Sequence, residues 1–271
     1  MTISVIIPTY KPQAYLWECL DSVCAQTFSK KEFEVILVLN GCNEPYSMQI
    51  QEYISKHQDV NWIFFQMDLG GVCNARNKAL DNAQGKYVTF MDDDDYVSPS
   101  FLQELFDAVD EETVSLSYAY AFDDGTPEIQ KKYSVTDTYE YCVANNKNRL
   151  SSTVRRYFSG PCMKLIPMSF IHDRRFNPKF RIAEDSIFMF LISDKIDKVA
   201  FTSRDAVYYR RFRSGSASYS NRSKKEDFKN CFACIWEYTK IFSHGGYSTY
   251  FFMSRIAATL MMTHRSLRRN H

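Results

Sequence analysis

The chain is short of the features that would send it to several common classes. No run of about 18 apolar residues occurs, so no membrane-spanning helix is expected. The apolar start Met1-Thr2-Ile3-Ser4-Val5-Ile6-Ile7-Pro8 has no basic leader and meets Pro8 at once, so it reads as a first strand and not as a signal peptide. Formal net charge is only +1, which excludes a nucleic-acid-binding polycation. The five histidines show no metal-ligand spacing. Eight cysteines include one CxxC, Cys231 and Cys234, with no second pair and no nearby histidine. They read as reduced core thiols of a cytoplasmic protein, not as a zinc or disulfide framework. Internal repeats and long linkers are missing as well.

What is present is a regular alternation. Apolar runs at residues 3–7, 33–39, 60–65 and 87–91 alternate with helical spacing at 13–25, 48–57 and 72–83. That order predicts an α/β fold with a mostly parallel sheet and helices on both faces. Beyond it, residues 99–109 read as a helix, 113–122 as one strand, 184–192 as a helix, and 199–202 and 206–210 as strands. Residues 128–159 give no clear element. A helical pattern resumes at Lys224 and is divided at Ser243-His244-Gly245-Gly246.

Ligands of such sheets sit beyond the carboxyl ends of the strands. Three of these ends carry polar groups: Thr9-Tyr10, Asn40-Gly41 and Asp92-Asp93-Asp94-Asp95. Four adjacent carboxylates repel one another unless a cation lies among them. Hard oxygen ligands of this kind suit Mg²⁺ or Mn²⁺, with substrate phosphates completing the shell. The competing expectation is a solvated acidic loop before a helix N-terminus.

Several ordered motifs carry a resemblance. They are Ser4-Val5-Ile6-Ile7-Pro8-Thr9-Tyr10; Phe33 through Asn40-Gly41; Gly71-Val72-Cys73-Asn74-Ala75-Arg76-Asn77; Gly85 through Asp92-Asp93-Asp94-Asp95; Glu184-Asp185; and Tyr208-Tyr209-Arg210-Arg211 followed by Ser214-Gly215-Ser216. In this order they resemble the family 2 glycosyltransferases of the GT-A fold, over residues 4–218.

The resemblance implies an inverting, metal-dependent transfer of a sugar from a nucleotide-diphosphate donor, a UDP-sugar first, to a glycan or lipid-linked acceptor of a surface polysaccharide. It also implies roles. Pro8, Thr9 and Tyr10 would line the nucleotide pocket with Asn40, where the family usually has Asp. Arg76 would reach the nucleotide. Asp92 and Asp94 would form the DxD pair and hold Mn²⁺ or Mg²⁺, Asp94 the more directly, while Asp93 approaches the ribose or donor sugar. Asp185 would be the general base with Glu184 beside it, and Arg211 or Arg210 would contact the diphosphate. From the residues alone, Glu184-Asp185 reads equally as a helix N-terminal pair, and the arginines as the solvated face of an edge strand. Lys164 would contact an acceptor phosphate or be solvated.

Residues 1–222 are expected to form the catalytic domain, with 1–97 its nucleotide half and 98–222 its acceptor half. Residues 223–271 form a helical extension. That extension reads as a helical pair packed on the domain, as a peripheral membrane contact, or as a homodimer surface. Two other readings are a sugar nucleotidyltransferase, which lacks its glycine-rich phosphate loop at residues 8–12, and a degenerate partner in a glycan assembly complex.

Overall fold

A computed structural model describes residues 1–213 and 223–269, without the side chains of Leu267 and Arg269. The motif Ser214-Gly215-Ser216 lies outside the described residues.

Every residue of β1 (Ile3–Thr9) and β2 (Phe33–Asn40) is buried. Strands apolar on both faces suit the middle of a covered parallel sheet. β1 pairs in parallel with β2 on one side and with β4 (Tyr87–Phe90) on the other. β3 (Asn61–Met67) extends the β2 side and is only partly buried, as an edge strand is. The remaining strands are β6 (Thr113–Leu116), β8 (Lys164–Pro167) and β9 (Lys198–Phe201). The seven-stranded order is β3-β2-β1-β4-β8-β6-β9, with β8 antiparallel to both its neighbours. The chain therefore grows outward from β1 in one direction, then returns to its other flank at β4. Such a reversal opens a crevice at the strands' carboxyl ends.

One return is sealed by a buried polar knot. Glu34 in β2 is 0% exposed and accepts from Ser4 Oγ at 2.6 Å and from the Gln84 amide at 2.6 Å. Ser4 Oγ in turn accepts from the Gly85 amide at 2.9 Å. A Cβ on Gly85 would lie 2.5 Å from Ser4 N and 2.7 Å from Tyr87 O, so only glycine fits there.

The single strand expected at 113–122 is two. Ser117 is buried, donates its amide to Met163 O at 3.0 Å and accepts from Tyr157 Oη at 2.6 Å. The chain turns there, and β7 (Tyr118–Asp123) joins a second sheet, ordered β5-β10-β7, with β5 (Tyr96–Val97) and β10 (Val207–Phe212). This small sheet stands over the crevice. The stretch that gave no clear reading holds α5 (Ser134–Ala144) and a 3₁₀ segment, Val154–Ser159.

In chain order the other helices are α1 (Ala14–Cys24), α2 (Tyr46–Lys56), α3 (Val72–Leu80), α4 (Phe101–Ala108), the single turn α6 (Met168–Ile171), α7 (Glu184–Leu191), α8 (Lys224–Ser243) and α9 (Thr249–Arg269). A capping box opens α8: Ser223 accepts from the Glu226 amide while Glu226 accepts from the Ser223 amide. The α8–α9 pair packs on α7. Phe190 meets Tyr238, Tyr247 and Phe251, and Ser186 Oγ lies 2.7 Å from Tyr238 Oη. Cys231 and Cys234 are buried in this packing as free thiols. Phe232 and Trp236, one turn apart on α8, are left exposed. Among the described residues no helix is long and apolar enough to cross a membrane.

Candidate active site

The site forms where β1, β2 and β4 end. Asn40 ties two of these ends to a third loop: Nδ2 donates to Thr9 O at 2.7 Å, and Oδ1 accepts from the Gly71 amide at 2.8 Å. It is 4% exposed, so both ends of the amide are spent on holding the crevice floor. A carboxylate could accept from Gly71 but could not donate to Thr9. Gly41 has φ +69°, and a Cβ there would come 2.8 Å from Gly70 Cα. Tyr10, 52% exposed, flanks this approach. Pro8 lies at the buried end of β1.

The acid loop follows β4 directly. Carboxylate oxygens of Asp92, Asp94 and Asp95 all lie within 4.8 Å of one another. The four acids differ sharply in what they touch. Asp95 is 1% exposed and acts as an anchor: it accepts from the Arg211 amide at 2.8 Å, from Tyr208 Oη at 2.8 Å and from Arg210 at 3.0 Å. These bonds clamp β10 to the loop. Asp93 accepts from Thr9 Oγ1, joining the loop to β1. Asp94 accepts from Arg213 Nε at 2.7 Å. Asp92 accepts from Arg76 at 2.9 Å and Arg210 at 2.5 Å.

Charge follows the contacts. Burial raises the Asp92 carboxyl, Arg210 and then Arg76 pull it down, and it settles below its ordinary range. Burial lifts Asp93 to about 7, Asp94 and Asp92 adding to the rise against the Thr9 hydrogen bond. Burial likewise lifts Asp95 to about 7. The clustered donor set of Asp92, Asp94 and Asp95 is all hard oxygen, which fits a divalent cation.

Arg76 links the acid loop to a distant segment. It is 2% exposed, lies over the Phe176 ring, and reaches from Asp92 to Asp185 at 2.5 Å. Asp185 and Glu184 form the first turn of α7. The residue before them, Ala183, has φ +65°. A left-handed conformation at a residue with a Cβ stores strain, which accumulates at functional sites. Met163, next to Lys164, also has positive φ, at 68°. Burial, with Asp185 beside it, raises Glu184 to about 7; burial raises Asp185 against the pull of Arg76.

The two arginines of β10 part ways because strand neighbours face opposite sides. Tyr208 and Arg210 turn to the acid loop. Arg211 leaves from the other side of the strand, pairing with Glu18 and with Asp124 at 2.8 Å, and its Nε reaches the backbone of the acid loop rather than its carboxylates, donating to Asp94 O at 2.9 Å. These arginines are therefore engaged on a central strand, not solvated on an edge. Lys164 is not solvated either. It is 0% exposed, and Nζ donates to Gly160 O at 2.7 Å and Cys162 O at 2.5 Å. Sequence reasoning gives no separate role to Asp95 or Tyr208, while the alternation of Arg210, Arg211 and Arg213 with Tyr208, Tyr209 and Phe212 already marks Arg213.

The family model for glycosyl transferase family 2 matches residues 4–207. Poly(ribitol-phosphate) beta-N-acetylglucosaminyltransferase TarS of Staphylococcus aureus is 27% identical over 231 residues, which is 84% of this chain and 39% of TarS. The chain thus spans about two-fifths of that relative's length. The fold matches the crystal structure of S. aureus TarS 1–349 in complex with UDP-GlcNAc, with TM-score 0.74, 24% identity, and 96% and 72% of the two chains covered. It also matches the mannosyltransferase PcManGT from Pyrobaculum calidifontis in complex with GDP-Man and Mn²⁺, with TM-score 0.67, 16% identity, and 98% and 74% covered. The chain belongs to glycosyltransferase family 2, with the GT-A fold.

Proposed function

We propose that this protein transfers a sugar, with inversion, from a UDP-sugar to a glycan or lipid-linked acceptor in surface polysaccharide synthesis. The observation that carries the reading is Arg76, which joins Asp92 of the acid loop to Asp185 across 93 positions of sequence. The carboxylate that would help hold the metal at the diphosphate and the carboxylate that would take the acceptor's proton are thereby one guanidinium apart. The relatives and neighbours named above, which act on or hold nucleotide sugars, support the same reading.

Pro8, Thr9, Tyr10 and Asn40 would receive the nucleotide, with Asp93 toward the ribose or donor sugar. Mn²⁺ or Mg²⁺ held by Asp94 and Asp92 would neutralise charge on the departing diphosphate. Arg210 on Asp92 and Asp95 and Arg213 on Asp94 would add positive charge beside that metal, and Arg211 steadies the Asp94 carbonyl. Such preorganised charge is usually the largest catalytic contribution. Asp185 would take the acceptor proton, Glu184 sharing the negative site; a placed base contributes about 10²–10⁴-fold. Residues 1–222 would be the catalytic domain, and the exposed Phe232 and Trp236 support a peripheral contact of the 223–271 extension with a membrane carrying the acceptor.

Calorimetric titration of a nucleotide-sugar panel, with and without Mn²⁺, tests this. One donor should bind in a metal-dependent way, and Asp94→Ala should abolish that binding while the protein stays folded. Folded wild-type protein that binds no donor would overturn the reading.

A further inference from the structure

A cavity of about 380 Å³ lies between α7 and the α8–α9 pair. That is within the usual span for small-molecule sites, about 300–1,000 Å³. Its lining includes Glu184 and Asp185 and also Arg155, Arg181 and Arg255. The acids belong to the proposed transfer site. The arginines have no role there.

Arg255 is the informative one. It sits in α9 and is 2% exposed. Its hydrogen bonds go to Phe158 O and, at 3.4 Å, to Ser159 Oγ; it lies over the Phe251 ring, and Nε has no partner. No carboxylate among the described residues pairs with it or with the half-buried Arg155 beside it. Burial pulls Arg255 down to about 10; Tyr238 opposes the drop and Arg155 adds to it. Burial also lowers Arg155. Two neighbouring guanidiniums without a counter-ion are expensive in a cavity wall. The cavity's own acids do not pair with them: Asp185 is paired with Arg76, Glu184 sits beside Asp185 with no ion pair to either arginine among the described residues, and Asp227 accepts from Ser266 at 2.6 Å. An arrangement of this kind calls for an anion from outside. Two forks around one ligand suit a tetrahedral phosphate, whose oxygens diverge, better than a planar carboxylate, which one fork satisfies.

We infer that the cavity receives a phosphate-bearing acceptor, held by Arg155 and Arg255 with its hydroxyl toward Asp185. The inference rests on the transfer reading above. The acceptor oxygen forms the new bond to the sugar's anomeric carbon, its proton passes to the Asp185 carboxylate, and the bond to the nucleoside diphosphate breaks with the electron pair leaving on that diphosphate. Arg155 and Arg255 would set which hydroxyl arrives, so they are positioning and binding residues of the acceptor, not of the donor.

The test titrates the full chain with diglycerol phosphate, a soluble phosphodiester, and in parallel with phosphatidylglycerol vesicles. Diglycerol phosphate should bind wild type and Asp94→Ala alike. Binding should fall about tenfold or more in Arg155→Ala, as expected for a lost charge-assisted hydrogen bond. Arg155 has no side-chain partner to lose, so this variant keeps the fold. Arg255→Lys keeps the buried charge and should weaken binding as well. No binding to wild type would overturn the inference. So would binding lost in Asp94→Ala but kept in Arg155→Ala, which would put the anion at the diphosphate site. Binding of vesicles alone would also overturn it, in favour of a lipid surface. A nucleotide-sugar panel on the same proteins separates the two readings: donors bound without the phosphodiester leave transfer standing and remove the anion site, and the converse does the reverse.

Discussion

Arg76→Met replaces the buried bridge of the site with an apolar side chain of similar reach. Two carboxylates then lose a cation, which costs about 3–5 kcal/mol for a fully buried pair. Here the Asp92 and Asp185 side chains are 26% and 29% exposed, and Asp92 keeps Arg210. Those facts put the expected loss at the lower end, about 3 kcal/mol at pH 8. Its pH dependence has a definite sign. Without Arg76, Asp185, already raised by burial, loses its main opposing pull and titrates still further above the unfolded chain, where its carboxyl lies near 3.8. Groups raised in this way destabilise the fold most above their folded-state values, and the penalty fades as pH falls through them. Urea unfolding at pH 5 and pH 8 should therefore show a smaller penalty at pH 5. Adding Asp185→Asn to Arg76→Met should recover about 1 kcal/mol or more, since the two residues share one contact. A loss below about 1 kcal/mol that is equal at both pH values would refute the bridge as the element joining α7 to the acid loop.

Three further outcomes follow from the same contacts. Because burial raises both Asp185 and Glu184, kcat/KM should rise with pH along an acid limb displaced above the ordinary carboxylate range, and a pH-rate profile flat from 5.5 to 8 would contradict the proton-taking role. Burial lowers Lys164 to about 7, far under its ordinary 10.5, so folding releases a proton between these values and wild-type stability should climb with pH there by roughly 1 kcal/mol per unit. Denaturant titrations at pH 7, 8 and 9 should show that climb disappear in Lys164→Met. Gly85→Ala drives a Cβ into the Ser4 and Tyr87 backbone and should cost about 1–3 kcal/mol or more, read as a fall in Tm that a neutral surface change would not give.

The alternation of strand and helix through β4, and the acid run at its end, were determined by local sequence. Apolar runs of strand length, broken by Pro8, Gly41 and Gly85, leave few ways to cover both faces, and a parallel sheet then carries Thr9, Asn40 and Asp92 to one edge. The order of motifs was enough to identify the family. What each polar residue does was decided by tertiary structure. Four consecutive aspartates look equivalent in sequence, yet Asp95 is spent on β10, Asp93 on Thr9, and Asp92 on two arginines, because each points to a different neighbour in the fold. Arg210 and Arg211 are alike by composition and opposite by strand alternation. Lys164 stays open between an acceptor phosphate and solvent because nothing local shows that its ammonium is buried on the Gly160 and Cys162 carbonyls. Arg255 lies 70 positions beyond Asp185, and only the packing of α9 against the 3₁₀ segment brings its unpaired charge to the same cavity. Spacing reports which groups share an element; the partners that set their charge and purpose come from chain segments a hundred residues away.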